Sequence, residues 1–311
     1  MSEQDIKQYI GATFGRSTIY YFPNPGNAGD SLIACATFNL FKKMGVRYKI
    51  INKWEWRTFD PKGKILVYAG GGNLMARYND AREFIERFHE QALKLVVLPH
   101  TVSEHADLLK TLSNNVDIIC RESVSYGYVK KMARNANVYL MEDVAFMLNI
   151  KDILSAIPSK PDGLVKAAAK KIYFMAANDG RRFGVVSPKL LMRYKLLELE
   201  NVLTHKTSDG VLNCFRKDVE STSIDIPPGN VDVSEAFAFG THTELLASYA
   251  AYKLLKFMSQ YKEIRTNRLH ACIAGLLLGK RVDFYPNNYF KCEAVYRQSI
   301  EGRYENVVWN D

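Results

Sequence analysis

The chain has 311 residues, of which 47% are hydrophobic and 24% charged, a balance that fits a folded globular protein and excludes disordered, collagen-like and disulfide-scaffold classes. Such a length is comfortable for two domains of ordinary size and therefore for a cleft. The formal charge of +9 invites a nucleic-acid reading, yet the basic residues are scattered and no nucleic-acid motif accompanies them, so no nucleic-acid partner is expected.

The first residues, Met1-Ser-Glu-Gln-Asp-Ile-Lys-Gln8, lack the basic stretch and apolar block of a secretory signal. No apolar run approaches the roughly 18 residues of a spanning helix. A cytoplasmic protein is expected. Five scattered cysteines (Cys35, Cys120, Cys214, Cys272, Cys292) show no metal-ligand spacing, which points to reduced, buried thiols and no metal site.

In chain order, the hydrophobic pattern predicts a strand over Ser17–Phe22, a helix over Ser31–Met44, and strands at Tyr48–Ile51 and Lys64–Ala69. A helix over Ala81–Ala92, a strand over Leu95–Leu98, a helix over Glu104–Leu112, a strand over Asp117–Cys120, a helix over Ser123–Ala133 and a strand over Val138–Leu140 follow. Strands separated by helices imply a parallel sheet covered on both faces. From Lys151 to about His205 the pattern turns helical, broken by Pro158, Pro161 and Pro188, and reads as a linker or helical insertion. Within it, Lys166-Ala-Ala-Ala-Lys170-Lys171 reads as a solvated helix face, with peripheral contact to anionic lipid headgroups as the weaker reading. A second series runs through strand Val211–Phe215, the turn-rich 226–230, helix Thr243–Gln260, strand Tyr261–Arg265, helix Leu269–Leu278 and strand Arg281–Tyr285. The fold class is α/β, with two Rossmann-like domains, residues 1–150 and 151–311, facing across a cleft.

Four stretches could carry chemistry. Asn24-Pro-Gly-Asn27-Ala-Gly29-Asp30-Ser31 joins the first strand to the first helix, where free amides and a positive helix end suit an anion; a tight turn with a helix cap is the plainer reading. It is neither a dinucleotide fingerprint nor a P-loop. Gly70-Gly71-Gly72-Asn73 closes an apolar strand. Three glycines there are costly in chain entropy unless something approaches the backbone, and a ligand in the crevice at strand carboxyl ends would do so. Asn73 would then cap or contact the acceptor.

Phe215-Arg216-Lys217-Asp218 ends another strand, and Arg216 offers a planar fork for phosphate or carboxylate. Thr266-Asn267-Arg268-Leu269-His270 opens a very apolar helix. Cations at a helix N-terminus oppose its dipole, so an anion is expected beside Arg268 and His270.

In this order, Asn27-x-Gly29-Asp30, Gly70-Gly71-Gly72-Asn73, Phe215-Arg216-Lys217-Asp218 and Arg268-Leu-His270 resemble the polysaccharide pyruvyl transferases. Leu98-Pro99-His100-Thr101, Cys120-Arg121-Glu122, Glu142-Asp143-Val144-Ala145-Phe146 and Asn288-Tyr-Phe-Lys291 add lesser matches. The resemblance implies a GT-B-like fold and transfer of a pyruvyl group from phosphoenolpyruvate, a donor substrate and not a cofactor, to a sugar diol as a ketal. Its acceptor would be a glycan or lipid-linked oligosaccharide at the inner membrane face. On this reading His270 is the general acid, a role that histidine fills more often than any other side chain. Arg268, Arg216 and Lys291 bind the donor. Asp30, from the acceptor-side domain, orients or deprotonates a hydroxyl, while Asn27, Gly29, Gly71, Gly72 and Asn73 contact acceptor or anion. A nucleotide-sugar glycosyltransferase on the same scaffold is the nearest alternative.

Overall fold

A computed structural model describes residues 3–156, 200, 202, 204, 205 and 209–311. Most of the expected linker, including the Lys166–Lys171 cluster and the three prolines, lies outside the described residues.

The chain divides into two compact units, residues 1–25 with 33–147, and residues 26–32 with 148–311. The first unit is built on a seven-stranded sheet: β1 Thr18–Phe22, β2 Arg47–Ile50, β3 Ile65–Tyr68, β4 Gly71–Leu74, β5 Lys94–Val102, β6 Val116–Cys120 and β7 Asn137–Leu140. Every pairing is parallel, in the order β2-β1-β3-β5-β6-β7, with β4 also on β5. The helices of this part of the chain are α1 Glu3–Phe14, α2 Ala28–Lys43, α3 Asp80–Phe88, α4 Ala106–Thr111 and α5 Ser123–Met132. A parallel sheet must bury both faces, which explains the fully buried runs of β3 and β6. On one face Phe22, Trp56, Tyr68, Phe84 and Phe88 pack together with Leu66, Leu95 and Ile118. The Phe22 and Phe84 rings lie 4.7 Å apart, a geometry worth about 0.5–1.5 kcal/mol beyond area burial.

Two departures from the sequence pattern bear on function. Strand β5 does not stop at Leu98 but continues through Pro99 to Val102, with its register on β6 shifting between Val97 and His100. That irregularity accommodates a residue with no N–H to donate. The glycine run is itself the start of strand β4. A Cβ on Gly70 would lie 2.8 Å from the Pro99 carbonyl oxygen, so the backbone that approaches Gly70 is the chain's own β5.

The second unit holds a four-stranded parallel sheet, β11-β10-β9-β8, formed by β8 Val211–Cys214, β9 Glu263–Thr266, β10 Arg281–Phe284 and β11 Val307–Trp309. Its helices among the described residues include α6 Ile150–Ala156, α7 Val233–Ala236, α8 Glu244–Met258, α9 Leu269–Leu277 and α10 Lys291–Val295. The architecture is therefore α/β, with two parallel sheets of Rossmann-like character. All five cysteines are buried thiols outside any disulfide. Among the described residues no helix is long and apolar enough to cross a membrane.

Candidate active site

Residues 26–32 group with residues 148–311, so Asn27, Gly29 and Asp30 fall in the same compact unit as Arg268 and His270. The start of α2 is a reciprocal cap. Asn27 Oδ1 accepts from the Gly29 amide at 2.9 Å, and Asp30 Oδ2 accepts from the Asn27 amide at 2.8 Å, so two otherwise orphaned donors are satisfied. Gly29 is then pressed against His270: a Cβ there would come within 2.7 Å of the imidazole Nδ1.

At the opposing element, Arg268 is the N-cap of α9 and His270 its second helical residue. Arg268 is only 4% exposed. Its guanidinium donates from Nε to Asp232 Oδ1 at 3.0 Å, from NH1 to Asp218 Oδ2 at 3.0 Å and from NH2 to Asp232, with Glu235 3.8 Å away. The anion expected beside this cation is thus supplied by the chain.

Arg216 extends the cluster. Its fork grips Asp218 through Nε at 2.7 Å and NH2 at 2.9 Å, and NH1 donates to Glu220. Lys291 Nζ donates to the same Glu220 carboxylate at 2.7 Å and sits 4.9 Å from the centre of the Tyr289 ring. Asn267, between Thr266 and Arg268, accepts from the Arg216 amide at 2.8 Å and so ties β8 to the start of α9.

Arg216, Arg268 and Lys291 therefore share one buried cluster with Asp218, Glu220, Asp232 and Glu235. Burial opposes charge throughout, and the partners decide the outcome. Desolvation would lower both guanidinium groups, but the carboxylates outweigh it and hold Arg216 and Arg268 above their ordinary value. Desolvation would raise Glu220, but Lys291 and Arg216 overcome it and hold the carboxyl below the usual range. At Asp232 desolvation wins over Arg268, with Glu235 and Asp218 adding repulsion, and the carboxyl is pushed up to about 6.

Within the first unit, the glycine strand carries a separate polar knot. Asn73 donates from Nδ2 to Asn24 Oδ1 at 2.9 Å and to Tyr68 Oη at 3.2 Å. Its backbone amide donates to His100 Nε2 at 3.0 Å, and His100 Nδ1 lies 3.3 Å from the Ala69 carbonyl. Full burial, aided by Arg121, lowers His100 to about 3, so the ring is neutral. Beneath the knot, buried Arg121 donates to Asp143 at 2.6 Å and to Thr101 Oγ1 at 2.8 Å. Gly71 is buried with φ of 154°, and Gly72 is half-buried.

Three cations of one cluster and the loop that meets His270 thus stand in stretches that the sequence marks. Asp232, Glu220 and Glu235 lie outside those stretches because nothing local marks them. The short stretch Val231–Ala236 lies between the expected turn at 226–230 and the next expected helix, and its carboxylates acquire meaning only from distant arginines.

The polysaccharide pyruvyl transferase profile matches residues 27–287, a span that takes in Asn27, Arg216 and Arg268 and stops before Lys291. The chain belongs to the polysaccharide pyruvyl transferase family and is accordingly a transferase whose family reaction is pyruvyl transfer to polysaccharide. It is 24% identical over 308 residues, spanning 92% of this chain and 87% of the relative, to a Bacillus subtilis (strain 168) protein named "Putative pyruvyl transferase EpsO". It is also similar to a crystal structure of an uncharacterized protein from Klebsiella pneumoniae subsp. pneumoniae NTUH-K2044, with 26% identity, full coverage of both chains and a TM-score of 0.73.

Proposed function

We propose that the protein transfers the pyruvyl group of phosphoenolpyruvate to two hydroxyls of a glycan, forming a cyclic ketal and releasing phosphate. The observation that carries this reading is the packing of Gly29 against His270 beside buried Arg268, which joins two of the four family stretches in one place.

In this reaction His270 protonates the methylene carbon of the donor, leaving an oxocarbenium-like centre. One acceptor hydroxyl adds to that centre, phosphate departs, and the second hydroxyl closes the ring; the two hydroxyl protons return one to the acid and one to phosphate. A positioned acid contributes about 10² to 10⁴ in rate. Asp30 already accepts the Asn27 amide through Oδ2, and orienting a hydroxyl is the role assigned to the carboxylate as a whole. Asn73, Gly71 and Gly72 are assigned to the acceptor side.

Arg268, Arg216 and Lys291 draw the donor's phosphate and carboxylate. Among the described residues, three cations meet four carboxylates in this cluster, so donor binding has to exchange a carboxylate contact or add a proton. Asp232, pushed up to about 6, is the carboxylate that yields most readily. The acceptor is assigned to polysaccharide or its lipid-linked precursor, which would place the protein in the cytoplasm at the inner membrane face.

Thermal shift tests the donor. A ligand at about 100 times its dissociation constant stabilises by about 2.7 kcal/mol, so phosphoenolpyruvate raises the melting temperature and nucleotide sugars do not. The reverse pattern contradicts the proposal.

A further inference from the structure

Glu235 belongs to none of the family stretches, yet it is 1% exposed on the four-residue helix α7. A carboxylate at that depth carries a desolvation penalty of about several kcal/mol unless its surroundings compensate. Two groups face it. Asn27 Nδ2 donates to Oε1 at 3.3 Å, and the same oxygen lies 3.8 Å from Arg268 NH2.

Those two groups lead in opposite directions to the same place. Asn27 caps α2 and fixes the Gly29 amide through Oδ1 at 2.9 Å. Gly29 abuts the His270 imidazole. His270 and Arg268 are separated by one residue at the start of α9. The contacts therefore close a circuit: Arg268, Glu235, Asn27, Gly29, His270 and back to Arg268.

The fold has a second tie between the same segments, because Ser31 Oγ donates to the Gly240 carbonyl at 3.2 Å. Holding the start of α2 against residues 232–240 thus does not depend on Glu235 alone. What Glu235 adds is a charge and a reach that relate the cap asparagine to the guanidinium.

We infer that Glu235 is a positioning residue, whose carboxylate sets the relative placement of the Arg268 guanidinium and the His270 imidazole through Asn27 and Gly29. The inference rests on the proposed function for its kinetic readout. Two substitutions break the circuit on either side of Glu235. Glu235→Gln removes the charge facing Arg268 and preserves the volume. Asn27→Ser keeps a helix-capping hydroxyl and withdraws the amide that Glu235 accepts.

The test compares the wild type, each single variant and the double variant. Phosphate release from phosphoenolpyruvate is measured with a glycan that the wild type uses, and the ¹⁵N imidazole resonances of His270 are recorded without substrate. Misplacement of reacting groups by about 1 Å can lower rates about 10²-fold. The expected result is a kcat lower by about 10- to 100-fold in each single variant, with KM for phosphoenolpyruvate changed by less than about threefold. The double variant should be no worse than the poorer single, since both cut one circuit. His270 resonances should shift in both singles.

A kcat for Glu235→Gln within about twofold of wild type, or losses that multiply in the double variant, would overturn the inference. If Glu235→Gln does not fold, Asn27→Ser carries the same comparison. A wild type inert toward phosphoenolpyruvate overturns the proposed reaction; the resonances then decide alone, a shift supporting the circuit and unmoved resonances sinking it.

Discussion

Arg268 donates to both oxygens of Asp232, at 3.0 Å through Nε and through NH2 to the other oxygen, so the arginine of the Arg-Leu-His stretch meets a carboxylate of its own chain before any substrate. Burial pushes that carboxyl up to about 6. Because the raised value favours the protonated acid in the folded state, Asp232 contributes stability that is present below the ordinary carboxylate value and is lost as pH rises through about 6. Donor binding should follow the same sign. Protonating Asp232 frees Arg268 for an anion, so the affinity for phosphoenolpyruvate should strengthen as pH falls from 8 toward 6. A phosphate monoester itself takes a proton near pH ~6, and Asp232→Asn separates the two: the variant should show a flatter pH dependence of Kd by calorimetry. Equal slopes in the two proteins would remove Asp232 from the linkage.

Gly29 should be a position where activity and stability part company. It is the second residue of α2, where the helical backbone accepts alanine. The added methyl would, however, sit 2.7 Å from His270 Nδ1 and 3.1 Å from Cγ, and the imidazole would have to turn away. Gly29→Ala should keep its melting temperature within a few degrees of wild type, and its kcat should fall about tenfold or more. Undiminished turnover would show that the imidazole can occupy another rotamer without consequence.

His100 offers a clean stability test away from the arginine cluster. Its pKa is lowered from 6.5 to about 3 by burial and by Arg121. The unfolded chain therefore binds the proton first, so stability is intact above about 6.5 and declines as pH falls toward about 3, by at most about 1.4 kcal/mol per pH unit. Denaturant unfolding of His100→Asn should lose this increment. The variant should be less stable than wild type at pH 7, with the difference narrowing at pH 4.5. A constant difference across that range would mean that His100 does not stay neutral in the fold.

Arg121 and Asp143 form a pair 1% and 0% exposed, joined at 2.6 Å. Removing one partner of a buried pair typically costs about 3–5 kcal/mol. Asp143→Asn should lower stability by that order in urea unfolding, and a change below about 1 kcal/mol would show the pair to be solvent-relieved.

Much of the first sheet is legible because β1, β3, β5 and β6 are apolar runs set between helical patterns. Helix α1 is not among the elements expected from the sequence, although Ile6, Tyr9, Ile10 and Phe14 recur at helical spacing and are all buried. Strand β4 has no strand propensity in Gly-Gly-Asn-Leu and is a strand only because β5 continues past Pro99 to pair with it. The site was half legible. Arg268, His270, Arg216 and Asp30 stand in recognisable stretches, whereas Asp232 and Glu235 are defined by long-range pairing that no local pattern encodes. The glycine run was expected to admit a ligand's backbone approach; at Gly70 the approaching group is the Pro99 carbonyl.

The most direct measurement is incubation of the protein with phosphoenolpyruvate and a panel of glycans, following phosphate release and glycan mass together, with His270→Gln alongside. A pyruvyl transferase releases phosphate in step with the mass gain of one pyruvate ketal on a glycan, and His270→Gln slows both by about 10² to 10⁴ while remaining folded. Phosphate release without a ketal, or an undiminished rate in His270→Gln, would contradict the assignment.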